Sequence, residues 1–113
     1  MELKRYSDAG GYEFGEFPVK ELNPDAFTSA SLAEITVPIG ADRPRRVNQK
    51  KDRVYVCLAG EIEFVVDETT MHLTEGDVLH IAEGEEYGFH NGGYEPGRLL
   101  LIRIPGPATA ETT

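Results

Sequence analysis

The stretch RVYVCLAGEIEFVVDETTMHLTEGDVLHIAEGEEYGFHN, residues 53–91, decides the fold. It alternates short apolar runs with turn-forming residues, a spacing typical of an antiparallel sheet that is closed or sandwiched. Gly60, Gly76 and Gly84 fall where tight corners are needed, and glycine reaches positive φ without steric cost. The stretch therefore predicts an all-β domain.

Strands are also predicted on both sides of this stretch. SLAEITVPIG (31–40) alternates apolar and polar residues, and YEFGEF (12–17) contains a short strand. RLLLIRIP (98–105) is apolar on both faces, which indicates a central or covered strand. About eight strands with turn signals roughly every ten residues predict a small β-sandwich or barrel. The alternative, an immunoglobulin-like sandwich, lacks its Cys…Trp…Cys signature because the chain has no tryptophan.

The 113 residues are expected to form one domain without disulfides. We assign residues 1–30 to an N-terminal arm or strand that completes the barrel or a dimer. Residues 31–105 form the barrel, and the small, polar residues 106–113 form a flexible tail.

The overall charge argues against nucleic-acid binding. The formal net charge is −9, and such an acidic surface disfavours contact with a phosphate backbone. The N-terminus has no apolar stretch typical of a signal peptide, and no window resembles a membrane span. The single cysteine, Cys57, cannot form an internal disulfide, so a reducing cytoplasmic location is expected.

The segment ADRPRRVNQKKDR (41–53) departs from this acidic pattern. It holds six basic and two acidic residues, a net charge of about +4 against about −13 for the rest of the chain. Such an asymmetry indicates the charge of a partner. The run is equally compatible with a solvated loop, and its expected position at the mouth of a pocket favours binding.

The glycine framework resembles that of the cupin family, small jelly-roll barrels defined by two motifs. The second motif, G-x5-P-x-G-x2-H-x3-N, is matched in spacing by five residues. Gly76, Gly84 and Asn91 keep the family's residue type, whereas Ala82 replaces the proline and Tyr87 the histidine. The resemblance covers roughly residues 31–104 and implies a single-domain cupin jelly-roll fold.

The first motif, G-x5-H-x-H-x3,4-E-x6-G, ends at Gly60 and places Arg53 at the glutamate position. Its two histidine positions fall on Val47 and Gln49, or, with the longer gap, on Arg46 and Asn48 with Gly40 opening the motif.

In the cupin family these histidines and the glutamate hold a divalent metal ion. A site of this kind needs imidazoles and a carboxylate that converge on one point. Here the four positions hold other residues, and the guanidinium of Arg53 would repel a cation. We therefore predict no metal and no other cofactor.

The three histidines of the chain do not restore the metal site. His72 is expected to be exposed, and His90 points outward if Tyr87 points inward. The direction of His80 stays open, because either face of VLHI could be the inner one.

Strand alternation then predicts the pocket. If Arg53 faces inward, so does Tyr55, and if Tyr87 faces inward, so does Phe89. The predicted catalytic residues are Tyr87 with His80 as its partner. The predicted substrate-binding residues are Arg46, Gln49, Arg53, Tyr55 and Phe89. A guanidinium in an apolar cup suits a small anion, a carboxylate or phosphate with an apolar body.

Several of these residues also have a purely structural explanation. Arg53 could lie at the rim beside a carboxylate, and Tyr55 and Tyr87 could be core residues whose hydroxyls reach backbone carbonyls. Cys57 is expected to be a small buried hydrophobic residue rather than a nucleophile.

Three functions are compatible with the sequence. The first is a metal-independent isomerase, epimerase or cyclase that uses Tyr87 as acid–base, with its pKa lowered by Arg53. The second is a non-catalytic binding protein, and the third a metal enzyme with atypical ligands such as His80 and His90 with a glutamate. Because strands such as VYVCL and RLLLIRIP are apolar on both faces, we also predict a homodimer.

Overall fold

The computed structural model describes residues 1–106. A short 3-10 turn at Tyr6–Asp8 precedes the first strand. Residues 1–106 contain ten strands, which in chain order are β1 (Gly11–Phe14), β2 (Phe17–Glu21), β3 (Ser31–Val37), β4 (Asp42–Val47), β5 (Asp52–Ala59), β6 (Ile62–Val66), β7 (Thr69–Leu73), β8 (Val78–Ile81), β9 (Glu86–His90) and β10 (Gly97–Ile104).

The strands form two antiparallel sheets. The larger sheet has the order β1-β2-β3-β10-β5-β8, and the smaller has the order β4-β9-β6-β7. The two sheets enclose a single apolar core, as in a jelly-roll sandwich. The predicted all-β jelly-roll class is confirmed, and β10 lies between β3 and β5, as the apolar character of both its faces indicated.

The core follows the alternation of the strands. Ala33, Ile35 and Val37 of β3 are all buried, as are Ile62 and Phe64 of β6. The residues that alternate with them along each strand lie on the outer faces, because successive side chains of a strand point to opposite sides.

Tight corners occur at the three predicted glycines. Gly60, Gly76 and Gly84 have φ angles of 80°, 92° and 96°. A side chain at these angles is strained, so glycine is the residue that lets the chain turn between strands here.

The N-terminal region adds a hairpin to the larger sheet. The single strand expected in YEFGEF is instead two strands, β1 and β2, joined by a turn at Gly15 with φ 63°. β2 pairs with β3, so the hairpin extends the sheet. The preceding arm is held at Glu2, whose carboxylate accepts hydrogen bonds from the backbone N–H groups of Asp25 (2.8 Å) and Ala26 (2.7 Å).

The basic segment is also partly a strand. Asp42–Val47 forms β4, an edge strand paired with β9, and the next strand begins at Asp52. Sequence alternation does not reveal this strand, because its two apolar residues, Pro44 and Val47, fall on opposite strand parities. Of the predicted tail, residues 107–113 lie outside the described residues, whereas Gly106 is buried. Within residues 1–106, no helix is long and apolar enough to cross a membrane.

Candidate functional site

A cavity of about 230 Å³ lies between the two sheets. Its walls are mostly apolar and come from β1 to β5 together with β9 and β10. Its polar groups are three guanidinium groups and three phenols, those of Arg43, Arg53, Arg103, Tyr12, Tyr55 and Tyr87. An apolar space with a few convergent polar groups is the usual form of a small-molecule site.

The two tyrosines meet inside the barrel. Their hydroxyl oxygens are 2.8 Å apart, and each residue is only 1% exposed. Aromatic packing fixes their rings, with the Phe89 ring centre 5.7 Å from that of Tyr55. Burial, and then the neighbouring Tyr87, raise the pKa of Tyr55 well above its usual value.

Arg53 reaches the cavity from β5 and is anchored by a buried amide. Its guanidinium donates a hydrogen bond to Oδ1 of Asn48, which is 2% exposed. The Asn48 amide nitrogen in turn donates to the carbonyl oxygens of Lys51 (2.8 Å) and Ile81 (3.1 Å). Asn48 therefore sets the position of Arg53.

Arg43 lies on the opposite sheet, over one of the phenols. Its guanidinium carbon is 4.3 Å from the ring centre of Tyr87, and Nη1 donates to the Tyr87 carbonyl oxygen at 3.2 Å. The register between β4 and β9 shifts between Arg43 and Arg46. The β4 backbone at this register shift packs against Gly88. A Cβ added to Gly88 would lie 2.6 Å from the Arg43 carbonyl oxygen.

The three arginines differ in whether a carboxylate lies near the guanidinium group. Arg103 lies 3.6 Å from a carboxylate oxygen of Glu21 and donates to Ser31 Oγ at 2.8 Å. For Arg43 and Arg53, no carboxylate oxygen of residues 1–106 lies within 4 Å. Two half-buried positive charges therefore face the cavity without an anionic partner in the described part of the chain.

Four of the predicted site residues come together at this cavity: Arg53, Tyr55, Tyr87 and Phe89. Arg46 and Gln49 are exposed and lie outside it, which corrects their expected position. Arg46 belongs to an edge strand and extends into solvent, and Gln49 follows the end of that strand.

The predicted role of His80 as the partner of Tyr87 is also corrected. It pairs with Val54 across the β5–β8 ladder, so it lies on the outer face, while Leu79 and Ile81 point inward. Its Nε2 is 3.2 Å from Asp52 Oδ1 at the surface. This position separates it from Tyr87, its expected catalytic partner.

The family of the protein follows from its sequence together with this architecture. The family model described as "Cupin domain" matches residues 33–103. The chain belongs to the cupin family. No significant match was found among curated protein sequences.

Solved cupin structures share the fold at low sequence identity. KdgF from Halomonas sp. is 10% identical with a TM-score of 0.84, covering 97% of this chain and 98% of its own. A predicted oxalate decarboxylase from Thermotoga maritima is 20% identical with a TM-score of 0.82, covering 91% and 98%. The Cnp3 cupin domain of Schizosaccharomyces pombe is 23% identical with a TM-score of 0.74, covering 88% and 70%.

The residues of this cupin do not fit the metal ion that the family implies. Two of the positions matched to the family's ligands, Arg53 and Tyr87, line the cavity, and neither is a favourable ligand for a divalent cation. Two guanidinium groups beside the same space would repel one. Within residues 1–106, no group of three or more His, Cys, Asp or Glu residues is arranged to hold a metal.

Sequence reasoning missed two arginines and an asparagine of the site. Arg103 shares the parity of the buried Leu99 and Leu101, but β10 is apolar on both faces, so its inner face was ambiguous. Arg43 could not be assigned because the basic segment is compatible with either a solvated loop or a binding patch and gives no strand parity. Asn48 matched a histidine position of the motif, yet only the fold brings its side chain to Arg53.

Proposed function

We propose that this cupin binds a small organic anion in the cavity between its sheets, without a metal ion. The observation that carries the proposal is a pair of half-buried guanidinium groups that border an apolar space. These groups, Arg43 and Arg53, have no carboxylate partner within the described residues 1–106. A guanidinium offers paired donors that match the geometry of a carboxylate or phosphate.

Binding without catalysis is better supported than an isomerase, epimerase or cyclase reaction. Proton transfer near neutral pH needs a group that titrates there. The titratable groups that line the cavity are arginines and tyrosines, and burial raises the pKa of Tyr55. His80, the expected partner of Tyr87, lies at the surface.

The remaining features agree with a small-molecule partner rather than a nucleic acid. The net charge of −9 disfavours nucleic acid, and the positive charge at the cavity is local. Cys57 is buried as a free thiol, which supports a reducing cytoplasmic location.

The proposal is tested by a thermal-shift and calorimetric screen with acetate, benzoate, phenyl phosphate and the neutral benzamide. We expect at least one anion to raise the melting temperature in proportion to its concentration, and benzamide to have no effect. Arg43→Gln and Arg53→Gln should each abolish that shift. Arg46→Gln is the matched control, because Arg46 comes from the same basic segment but lies outside the cavity.

Two results would contradict the proposal. The anion site is wrong if an anion still raises the melting temperature of both the Arg43→Gln and the Arg53→Gln variant. It is also wrong if none of the three anions raises the melting temperature of the wild type. A stoichiometric transition metal in the purified protein, measured by elemental analysis, would overturn its metal-independent part.

A further inference from the structure

We infer that the ligand is a compact monocarboxylate with an aromatic or branched apolar body, and that the Tyr55–Tyr87 pair donates a hydrogen bond to its carboxylate. This inference rests on the proposed function and specifies it. The observation behind it is how the two buried phenols are hydrogen-bonded.

Each phenol carries one hydrogen to donate. The 2.8 Å contact between the Tyr55 and Tyr87 hydroxyls uses one of the two hydrogens. Within residues 1–106, neither hydroxyl has another hydrogen-bond partner within 3.5 Å. One O–H group, in a pair of residues that are each 1% exposed, is therefore left without an acceptor among residues 1–106.

A buried donor without an acceptor is unfavourable, so buried polar groups in folded proteins are nearly always paired. An acceptor supplied from outside the chain removes this penalty. The cavity lies directly against both tyrosines, so a molecule bound there can supply that acceptor.

The surroundings favour an anionic acceptor. Arg43 and Arg53 both act electrostatically on Tyr55, yet burial outweighs them and keeps the pKa of Tyr55 raised. The phenol therefore stays protonated at neutral pH and acts as a donor. The guanidinium groups of Arg43 and Arg53 border the same cavity as this phenol, so they favour a negatively charged acceptor there.

Carboxylate fits this set of donors better than phosphate does. A carboxylate has two oxygens to satisfy, which two guanidinium groups and one hydroxyl can do. A phosphate group has more oxygens, and those facing the apolar walls would lose their hydration without compensation. A second carboxylate would have to compete with Glu21, which already neutralises Arg103.

The rest of the cavity sets the size and character of the ligand. Its volume of about 230 Å³ is smaller than the roughly 300–1,000 Å³ of sites for drug-sized ligands. Phe17, Ile35, Phe89 and Leu101 line it with aromatic and aliphatic surface. A ring or a short branched chain fills such a space, and benzoate is a suitable probe.

The first experiment compares benzoate, benzamide and phenyl phosphate by isothermal titration calorimetry. We expect benzoate to bind at least tenfold more tightly than either of the others. Tighter binding of phenyl phosphate would overturn the carboxylate inference and leave the proposed anion site intact. If no anion in the wider screen binds, both the carboxylate inference and the proposed anion site are wrong.

The second experiment tests the tyrosine pair with Tyr55→Phe, Tyr87→Phe and the double variant. The double variant should bind benzoate about tenfold more weakly or worse, as expected for a lost hydrogen bond to a charged group. One single variant should show most of this loss, because only one hydroxyl has a hydrogen left for the ligand. Tyr94→Phe is the control, since Tyr94 is 99% exposed.

Thermal unfolding without ligand separates ligand binding from a structural role. If the pair serves the ligand, the double variant should melt within a few degrees of the wild type while its benzoate affinity falls. A double variant that loses stability but keeps the wild-type affinity would show that the pair only stabilises the core, and would overturn the inference.

Discussion

At the scale of single residues, the basic residues of segment 41–53 have different structural partners. Arg43 and Arg53 face the cavity. Arg45 lies 3.2 Å from a carboxylate oxygen of Glu86, and the Lys51 ammonium donates to backbone carbonyl oxygens near the end of β10. The run is thus neither a uniform solvated loop nor a uniform binding patch, because neighbouring side chains of one segment point in different directions.

The buried side chain of Asn48 is expected to support both the stability of the fold and ligand binding. Asn48→Ala removes the amide donor that contacts the carbonyl oxygens of Lys51, Ile81 and Ala82, and it removes the acceptor that anchors Arg53. We expect the free energy of unfolding to fall by about 1–3 kcal/mol, as for other unpaired buried polar groups, and benzoate affinity to fall as well. Urea unfolding and calorimetry measure the two effects. Gln49→Ala, an exposed neighbour, should change neither, and an Asn48→Ala protein with wild-type stability and affinity would contradict the prediction.

At the scale of secondary-structure elements, the β4–β9 pair decides where Arg43 lies. The register shift between Arg43 and Arg46 brings the β4 backbone against Gly88. Tyr87 and Phe89, on either side of this glycine, both line the cavity. A local irregularity of one edge strand therefore positions a binding group, as β-bulges commonly do.

Gly88→Ala tests this arrangement. The new Cβ would lie 2.6 Å from the Arg43 carbonyl oxygen, so β4 must move away from β9. We expect a loss of about 1–3 kcal/mol in stability, typical of overpacking, together with weaker anion binding. Thermal unfolding and calorimetry measure both. Gly10→Ala is the control, because a Cβ there meets no atom within 4 Å; equal behaviour of the two variants would show that β4 is not held by this contact.

The N-terminal arm is attached to the outer face of the larger sheet through Glu34. The Glu34 side chain is 5% exposed and accepts hydrogen bonds from the Tyr6 hydroxyl at 2.5 Å and from Arg98 Nε at 2.9 Å. Burial alone raises the pKa of this carboxyl, but the hydrogen bonds from Tyr6 and Arg98 and the charge of Arg98 outweigh it, so the pKa is lowered from 4.5.

A lowered carboxyl pKa predicts a pH-dependent contribution to stability. The contribution of Glu34 should be complete above pH 4.5, its unshifted value, and should disappear as the pH falls through the lowered pKa. Glu34→Gln should therefore destabilise the protein at pH 7 and cost progressively less below pH 4.5. Thermal unfolding across pH 3–7 measures this, with the exposed Glu13→Gln as control. A stability difference between wild type and Glu34→Gln that does not vary with pH would contradict the assignment.

At the scale of the whole molecule, the outer face of the larger sheet carries an apolar patch. The ladders place Val78, Val56 and Leu100 side by side across three strands, next to Val54 and Ile102. These side chains are half-buried or exposed, and Val78 is the most exposed of them. An apolar patch on a sheet face supports the proposal that a second copy of the chain covers it.

We expect the protein to form a homodimer through this patch. Val56→Lys puts a charge at its centre and should shift the mass measured by light scattering from dimer to monomer. Thr70→Lys, at an exposed position of the smaller sheet, should leave the dimer intact. A wild-type protein that is monomeric at all accessible concentrations would contradict the prediction.

Much of the fold and about half of the site are predictable from local patterns. Alternation along β5 and β9 predicts that Arg53, Tyr55, Tyr87 and Phe89 share the inner side, and the cavity is lined by all four. Glycine spacing predicts the corners, because positive φ is a property of the residue itself.

The sequence by itself determined the sheet, its corners and the inward phenols, because strand parity and glycine conformation are local properties. The direction of His80, the partner of Arg103 and the position of Arg43 were decided only by the tertiary structure. Each depends on which strands pair and in what register, and these choices join residues that are far apart in the chain. The functional proposal depends on guanidinium groups without a carboxylate partner and a phenol without an acceptor among residues 1–106. These features exist only once those strands have come together.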